Sequence, residues 1–289
     1  MLGRKLKSAM IATAATGALL GGLAVSPASA VPLTFTWNPS LSLPALSTDG
    51  AFIANNIIVS DYANIVIADN GTATETGYLL FQTFQLNGGT VVTPGLNGTP
   101  APDAYVLYLQ FSATAHLNGW NPAAPTAGYF GAFDSVNYTF FGDPGGLDTF
   151  TIVGTTPTCT GCVGDVSLAT GSLTAGVNNV SLEPTSALPS AHSTETFTPT
   201  PPGSGGFFVS PNPFVLNMED SFTNTSEVST LQTVACATSP DGTCLDVTIN
   251  GGGGNINFLA VPVPEPGTLS LFGFGLLGLG FAFRRRSNA

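Results

Sequence analysis

Residues Tyr105 to Thr114 alternate so that Tyr105, Leu107, Leu109, Phe111 and Ala113 share one face, with Gln110, Ser112 and Thr114 on the other. A period of two is that of a half-buried β-strand. Leu33 to Trp37 alternates in the same way. Further strands are expected at Asn56 to Ser60, Asn64 to Ala68, Gly77 to Leu86, Val136 to Phe141, Phe150 to Val153, Val166 to Thr174, Phe207 to Val209, Ser229 to Cys236, Leu245 to Asn250 and Asn255 to Val261. Turn pairs that tolerate positive φ separate many of them: Asp49-Gly50, Asn70-Gly71, Asn87-Gly88, Asn97-Gly98, Asn118-Gly119 and Asp241-Gly242. Short strands at this spacing predict an all-β fold, an antiparallel β-sandwich with a jelly roll as one form of it. Glu183 to Gly206, rich in Pro, Ser and Thr, reads as an extended surface loop, and Gly251 to Gly254 as a turn or bulge between the last two strands.

The two ends depart from this pattern. Arg4, Lys5 and Lys7 precede an apolar stretch from Ala9 to Val25, and Ala28-Ser29-Ala30 has the small-x-small form that signal peptidase reads. Residues 1–30 are therefore expected to be a signal helix cut between Ala30 and Val31. At the other end Pro264-Glu265-Pro266-Gly267 precedes an uncharged apolar run from Leu269 to Phe283, followed by Arg284, Arg285 and Arg286. As a helix the run would extend about 22 Å, a marginal span of a hydrocarbon core about 30 Å thick. The arginines would act as a membrane stop on the cytoplasmic side. Triplet, uncharged span and arginine cluster in that order resemble the PEP-CTERM sorting signal of Gram-negative bacteria. The resemblance implies handling by an integral-membrane exosortase, with transient anchoring in the inner membrane and then residence at the cell surface or in the extracellular matrix. The expected division is a signal peptide over 1–30, an exported acidic domain over 31–261 and a sorting signal with a membrane helix over 262–289.

Charge sharpens this division. All six basic residues lie in the two end segments, whereas sixteen of the seventeen acids, all but Glu265, lie between them. With no Lys or Arg to neutralise phosphate, the exported region is excluded as a nucleic-acid binder, and anionic lipid would repel it. Hydrophobic residues at 43% of the chain against 8% charged are too many for a disordered polyanion, so a packed core is expected.

Four cysteines in an exported chain argue for two disulfides, local pairs Cys159–Cys162 and Cys236–Cys244 being favoured over a redox pair or a zinc site. His116 falls on the polar face of its strand and His192 in the Pro-rich segment, both as surface residues. Neither stands beside a nucleophile motif, so no catalytic residue is expected. No cofactor is expected either. Calcium is the ligand that acids near glycine turns suggest, most visibly in Gly142-Asp143-Pro144-Gly145-Gly146-Leu147-Asp148, although a solvated turn is the ordinary reading of that segment.

Ile58-Val59-Ser60-Asp61-Tyr62-Ala63, Thr74 to Tyr78, Phe84 to Gly88, Asn137-Tyr138-Thr139 with Gly142 to Gly145, Leu168 to Ser172 and Gly251 to Asn255 together resemble the flocculation-associated PEP-CTERM proteins. That resemblance implies a non-enzymatic surface or matrix protein that promotes flocculation or biofilm aggregation through extracellular polysaccharide or neighbouring cells. The alternative is a carbohydrate-binding module in which Trp120, Tyr129, Phe207 or Phe208 stack on sugar rings.

Overall fold

The computed structural model describes residues 33–43, 49–98, 104–125, 128–174, 179–182, 189–200, 206–211, 216–223, 228–237, 239 and 242–260. The expected signal helix and membrane helix lie outside them. The strands are β1 (Phe35–Trp37), β2 (Phe52–Ala54), β3 (Asn56–Ala68), β4 (Thr72–Leu86), β5 (Gly89–Val91), β6 (Val106–Leu117), β7 (Tyr129–Asp143), β8 (Thr149–Val153), β9 (Thr156–Thr160), β10 (Val166–Ser172), β11 (Asn179–Leu182), β12 (Pro189–Thr196), β13 (Thr198–Pro199), β14 (Phe208–Ser210), β15 (Leu216–Thr223), β16 (Val228–Ala235) and β17 (Thr243–Ala260). One short helix, α1 (Pro39–Ser42), starts on a proline, which fits a first turn because its missing N–H has no intrahelical partner there.

The expected all-β antiparallel fold is present, and sheet faces pack on each other across a core. Both faces belong to one sheet. From β3 it runs through β4, β6 and β7; β7 pairs with β11 through Tyr129 to Gly131, and the order β11, β12, β15, β17 returns to β3. Every step around this ring is antiparallel. The result is a closed eight-position barrel whose strands follow the chain sequentially, which differs from the crossed order of a jelly roll. The far end of β7 pairs instead with β10, which also meets β13.

Alternation decides what faces inward. Ile57, Val59, Asp61, Ala63, Ile65 and Ile67 of β3 are all buried at every second position. One end of the barrel is plugged by the three-stranded sheet β14-β1-β2. There Trp37, fully buried, lies 5.3 Å from the Phe84 ring, 5.5 Å from those of Phe207 and Phe208, 5.6 Å from Phe140 and 5.8 Å from Phe258. An apolar cluster built on Ile65, Leu117, Phe133 and Val247 fills the other end.

Two segments correct the sequence expectations. Glu183 to Gly206 is largely strand where it is described, since β12 and β13 occupy most of it. Its hydroxyl-rich residues carry ladder hydrogen bonds to β15 as well as Val or Ile would, because the backbone and not the side chain makes the ladder. The glycine run is not a turn between two strands but a bulge inside one strand, β17, with the register slipping between Asn250 and Gly252. Gly251, at φ +83°, is the residue that absorbs the slip.

Candidate functional site

The barrel interior holds carboxylates at its middle. Asp61 on β3, Glu75 on β4 and Asp220 on β15 line a cavity of about 80 Å³ together with Ser193, Tyr138 and Met218. Glu195, two residues beyond Ser193 on β12, is fully buried. The glycine run makes room for this layer: Gly252 pairs with Asp61, and Gly254 with Val59, so β17 has no side chain at the two inward positions beside the acids. The Ser193 hydroxyl donates to Asp220 Oδ1 at 2.6 Å. Burial dominates the electrostatics. It raises Glu75 well above the ordinary carboxylate range, with Asp61 and Asp220 adding repulsion. It pushes Glu195 up to about 9 and Asp220 to about 6. Near neutrality Glu195 therefore keeps its proton beside Asp220, which is largely ionised.

A second group lies outside the barrel. The β8–β9 hairpin folds over the outer face of β3, β4 and β6, where Phe150 packs 6.0 Å from the Tyr62 ring, 5.3 Å from Tyr78 and 5.0 Å from Tyr108. At its base Asp143, Asp148 and Asp165 each present a carboxylate oxygen, all within 4.8 Å of one another. The Asp143 carboxylate accepts N–H bonds from Gly145 at 2.7 Å, Leu147 at 2.8 Å and Asp148 at 3.3 Å. Tyr108 donates its hydroxyl to Asp165 Oδ2 at 2.6 Å. Asp148 is 7% exposed, and neither of its oxygens accepts a hydrogen bond from an N–H or hydroxyl donor, its neighbours being the carboxylates of Asp143 and Asp165.

Beside the hairpin the outward faces of β4, β6 and β7 form polar rungs, Tyr78–Gln110–Thr139 and Thr76–Ser112–Asn137. They floor a groove of about 430 Å³ with Thr156 and Pro157 of β9 at its margin. At these two rungs the hydroxyl and amide groups face out, whereas Leu80, Tyr108 and Phe141 on the same strands pack outward under the hairpin.

Several expected residues fall elsewhere. Cys159 pairs with Cys162 and Cys236 with Cys244, their Cα atoms 6.0 Å and 5.5 Å apart, as the spacing suggested. His116 is exposed and 2.9 Å from Asp134. His192, expected in a surface loop, instead sits on β12, half-buried, with Nδ1 2.9 Å from the Asp220 carbonyl oxygen and Nε2 3.5 Å from Glu219. Phe207, Phe208 and Tyr129 are core residues, and Trp120 packs edge-on to Tyr129 at 4.8 Å, so these rings are not the sugar platform expected of them. Ala28, Ala30, Val31, Pro264, Glu265, Pro266, Gly267 and Arg284 to Arg286 lie outside the described residues. Among the described residues no helix is long and apolar enough to cross a membrane.

Sequence reasoning missed Asp165, which only the fold brings beside Asp143 and Asp148. It also missed the interior acids, although Asp61 carries a signal: it occupies an inward position in an otherwise apolar alternation.

Comparison with known proteins defines a class rather than an individual relative. Residues 262–286 match the family model of the PEP-CTERM protein-sorting motif. The chain is thus a PEP-CTERM protein, exported by an exosortase-dependent route. No curated protein and no solved structure matches it.

Proposed function

We propose that the exported barrel is a non-catalytic surface or matrix protein that promotes flocculation or biofilm aggregation. The observation that carries this is the sorting motif at 262–286 behind a domain without Lys or Arg, whose outer strands present hydroxyl and amide rungs. Such a face suits neutral polysaccharide, whose hydroxyls exchange hydrogen bonds with Gln, Asn, Ser and Thr, and does not suit polyanions. The groove over Gln110 and Asn137 favours the second reading, carbohydrate binding, as the means of adhesion.

Deletion of the gene should lower aggregation of the producing cells, and re-expression should restore it. A Gln110→Ala, Asn137→Ala double variant exported at the normal level should restore it poorly and should bind matrix polysaccharide less well. Unchanged aggregation in the deletion strain would sink the adhesive role. Full polysaccharide binding by the double variant would remove the groove and leave adhesion to another surface.

A further inference from the structure

We propose that Asp143, Asp148 and Asp165 bind one divalent cation, calcium, at the base of the β8–β9 hairpin. Calcium takes oxygen ligands at about 2.3–2.6 Å, so three oxygens within 4.8 Å of one another can all touch one such ion. Magnesium demands near-ideal octahedral geometry and sheds its water reluctantly, so carboxylates brought together from three separate segments suit it less. The second observation is Asp148 itself. Its side chain is 7% exposed, lies among the other two carboxylates, and accepts no hydrogen bond from an N–H or hydroxyl donor on either oxygen, Asp165 being placed only to share a proton with it. A buried carboxylate in that state is costly unless a cation or a proton completes it. No Lys or Arg lies between residues 8 and 283 to supply the charge. The two histidines face Asp134 and Glu219 instead.

The surroundings keep the position open and hard. Gly161, at φ +108°, leaves Asp148 room where a Cβ would stand 2.7 Å from its Oδ1. Cys159 and Cys162, also close to Asp148, are joined to each other and offer no thiolate, so the available donors are oxygens. Backbone N–H groups fix Asp143, and Tyr108 fixes Asp165. A bound ion would tie together the end of β7, the entry to β8 and the entry to β10. It would thereby hold the hairpin that margins the groove.

Terbium serves as the probe because Tyr108, bonded to Asp165, is placed to sensitise its luminescence. With the full chain in detergent, tyrosine excitation should give terbium emission that CaCl2 displaces and NaCl at matched ionic strength does not. Calcium at about 100 times its Kd should raise Tm by roughly 5–10 °C. Asp148→Asn should weaken calcium binding roughly tenfold or more and abolish the calcium-dependent rise in Tm. Tyr108→Phe should lower the emission while keeping that rise. Should Asp148→Asn not fold, Asp165→Asn, at a partly exposed position, decides the matter by the same readouts. A wild-type Tm indifferent to calcium, or an unchanged calcium response in the folded aspartate variants, would overturn the site.

Discussion

Glu195 shows most directly how a single residue ties the barrel's stability to pH. Burial is the main reason its carboxyl stays protonated up to about 9, with the charge of Asp220 adding to the effect. An unfolded chain releases that proton near the ordinary value of 4.5. Between those limits the native state binds a proton that the unfolded state does not, so stability falls as pH rises, by about 1.4 kcal/mol per pH unit for a group fully protonated in the native state. Asp220, raised to about 6 from 3.8, adds to the slope over the lower part of the window. The contribution is complete below the unfolded values and is lost progressively on the alkaline side. Urea unfolding of the wild type at a series of pH values should therefore show greatest stability in mild acid. Glu195→Gln, nearly isosteric and uncharged, should flatten the curve and leave the variant more stable than the wild type at pH 8. A parallel pair of curves would mean that Glu195 ionises normally.

At the scale of elements the glycine bulge sets the register of β17, and register sets which side chains face the core. Before the bulge Val247 and Ile249 face inward; after it Ile256 and Phe258 do, all four essentially without exposure. Adding one residue to a strand turns every later side chain to the opposite face. Inserting a further glycine after Gly253 should thus expel Ile256 and Phe258, each worth roughly 2–5 kcal/mol when truncated, and prevent stable folding. Gly251→Val keeps the count and strains only φ, and should cost about 1–3 kcal/mol. Thermal unfolding of the two variants compares them directly, and equal tolerance would show that the bulge does not hold the register. Here the sequence was only half legible. The strands β3, β4 and β6 could be read from alternation because they bury one face and expose the other. β12 could not, since its inward residues Ala191, Ser193 and Glu195 are no more apolar than its outward ones. Closure of the barrel through Gly131 and Val180 is a pairing between distant backbones and leaves no trace in either segment. Asp143 and Asp148 stood in a recognisable glycine turn, while Asp165 joins them only because β7 and β10 are neighbours.

Over the whole molecule the absence of Lys and Arg between residues 8 and 283 leaves sixteen acids without such partners, and this governs how copies meet. Two like unit charges 4 Å apart cost about 1 kcal/mol in bulk water and several times more near a protein surface. Any contact between copies must come from apolar surface, hydrogen bonds or strand edges. β16 offers such an edge: it pairs with β17 on one side and, among the described residues, with no strand on the other, and Leu231 on it is 40% exposed. An unprotected edge is a template for a further strand, which the surrounding negative charge holds in check. Lowering the pH towards the carboxylate range should therefore increase self-association of the exported form, as should sodium chloride, which reduces the Debye length to about 10 Å at 0.1 M. Leu231→Asp should oppose both effects by adding charge at the edge itself. Light scattering on protein recovered from the cell surface reads all three. Association that weakens on acidification would reverse the argument, because it would show that the acids attract a cationic partner rather than hold identical copies apart.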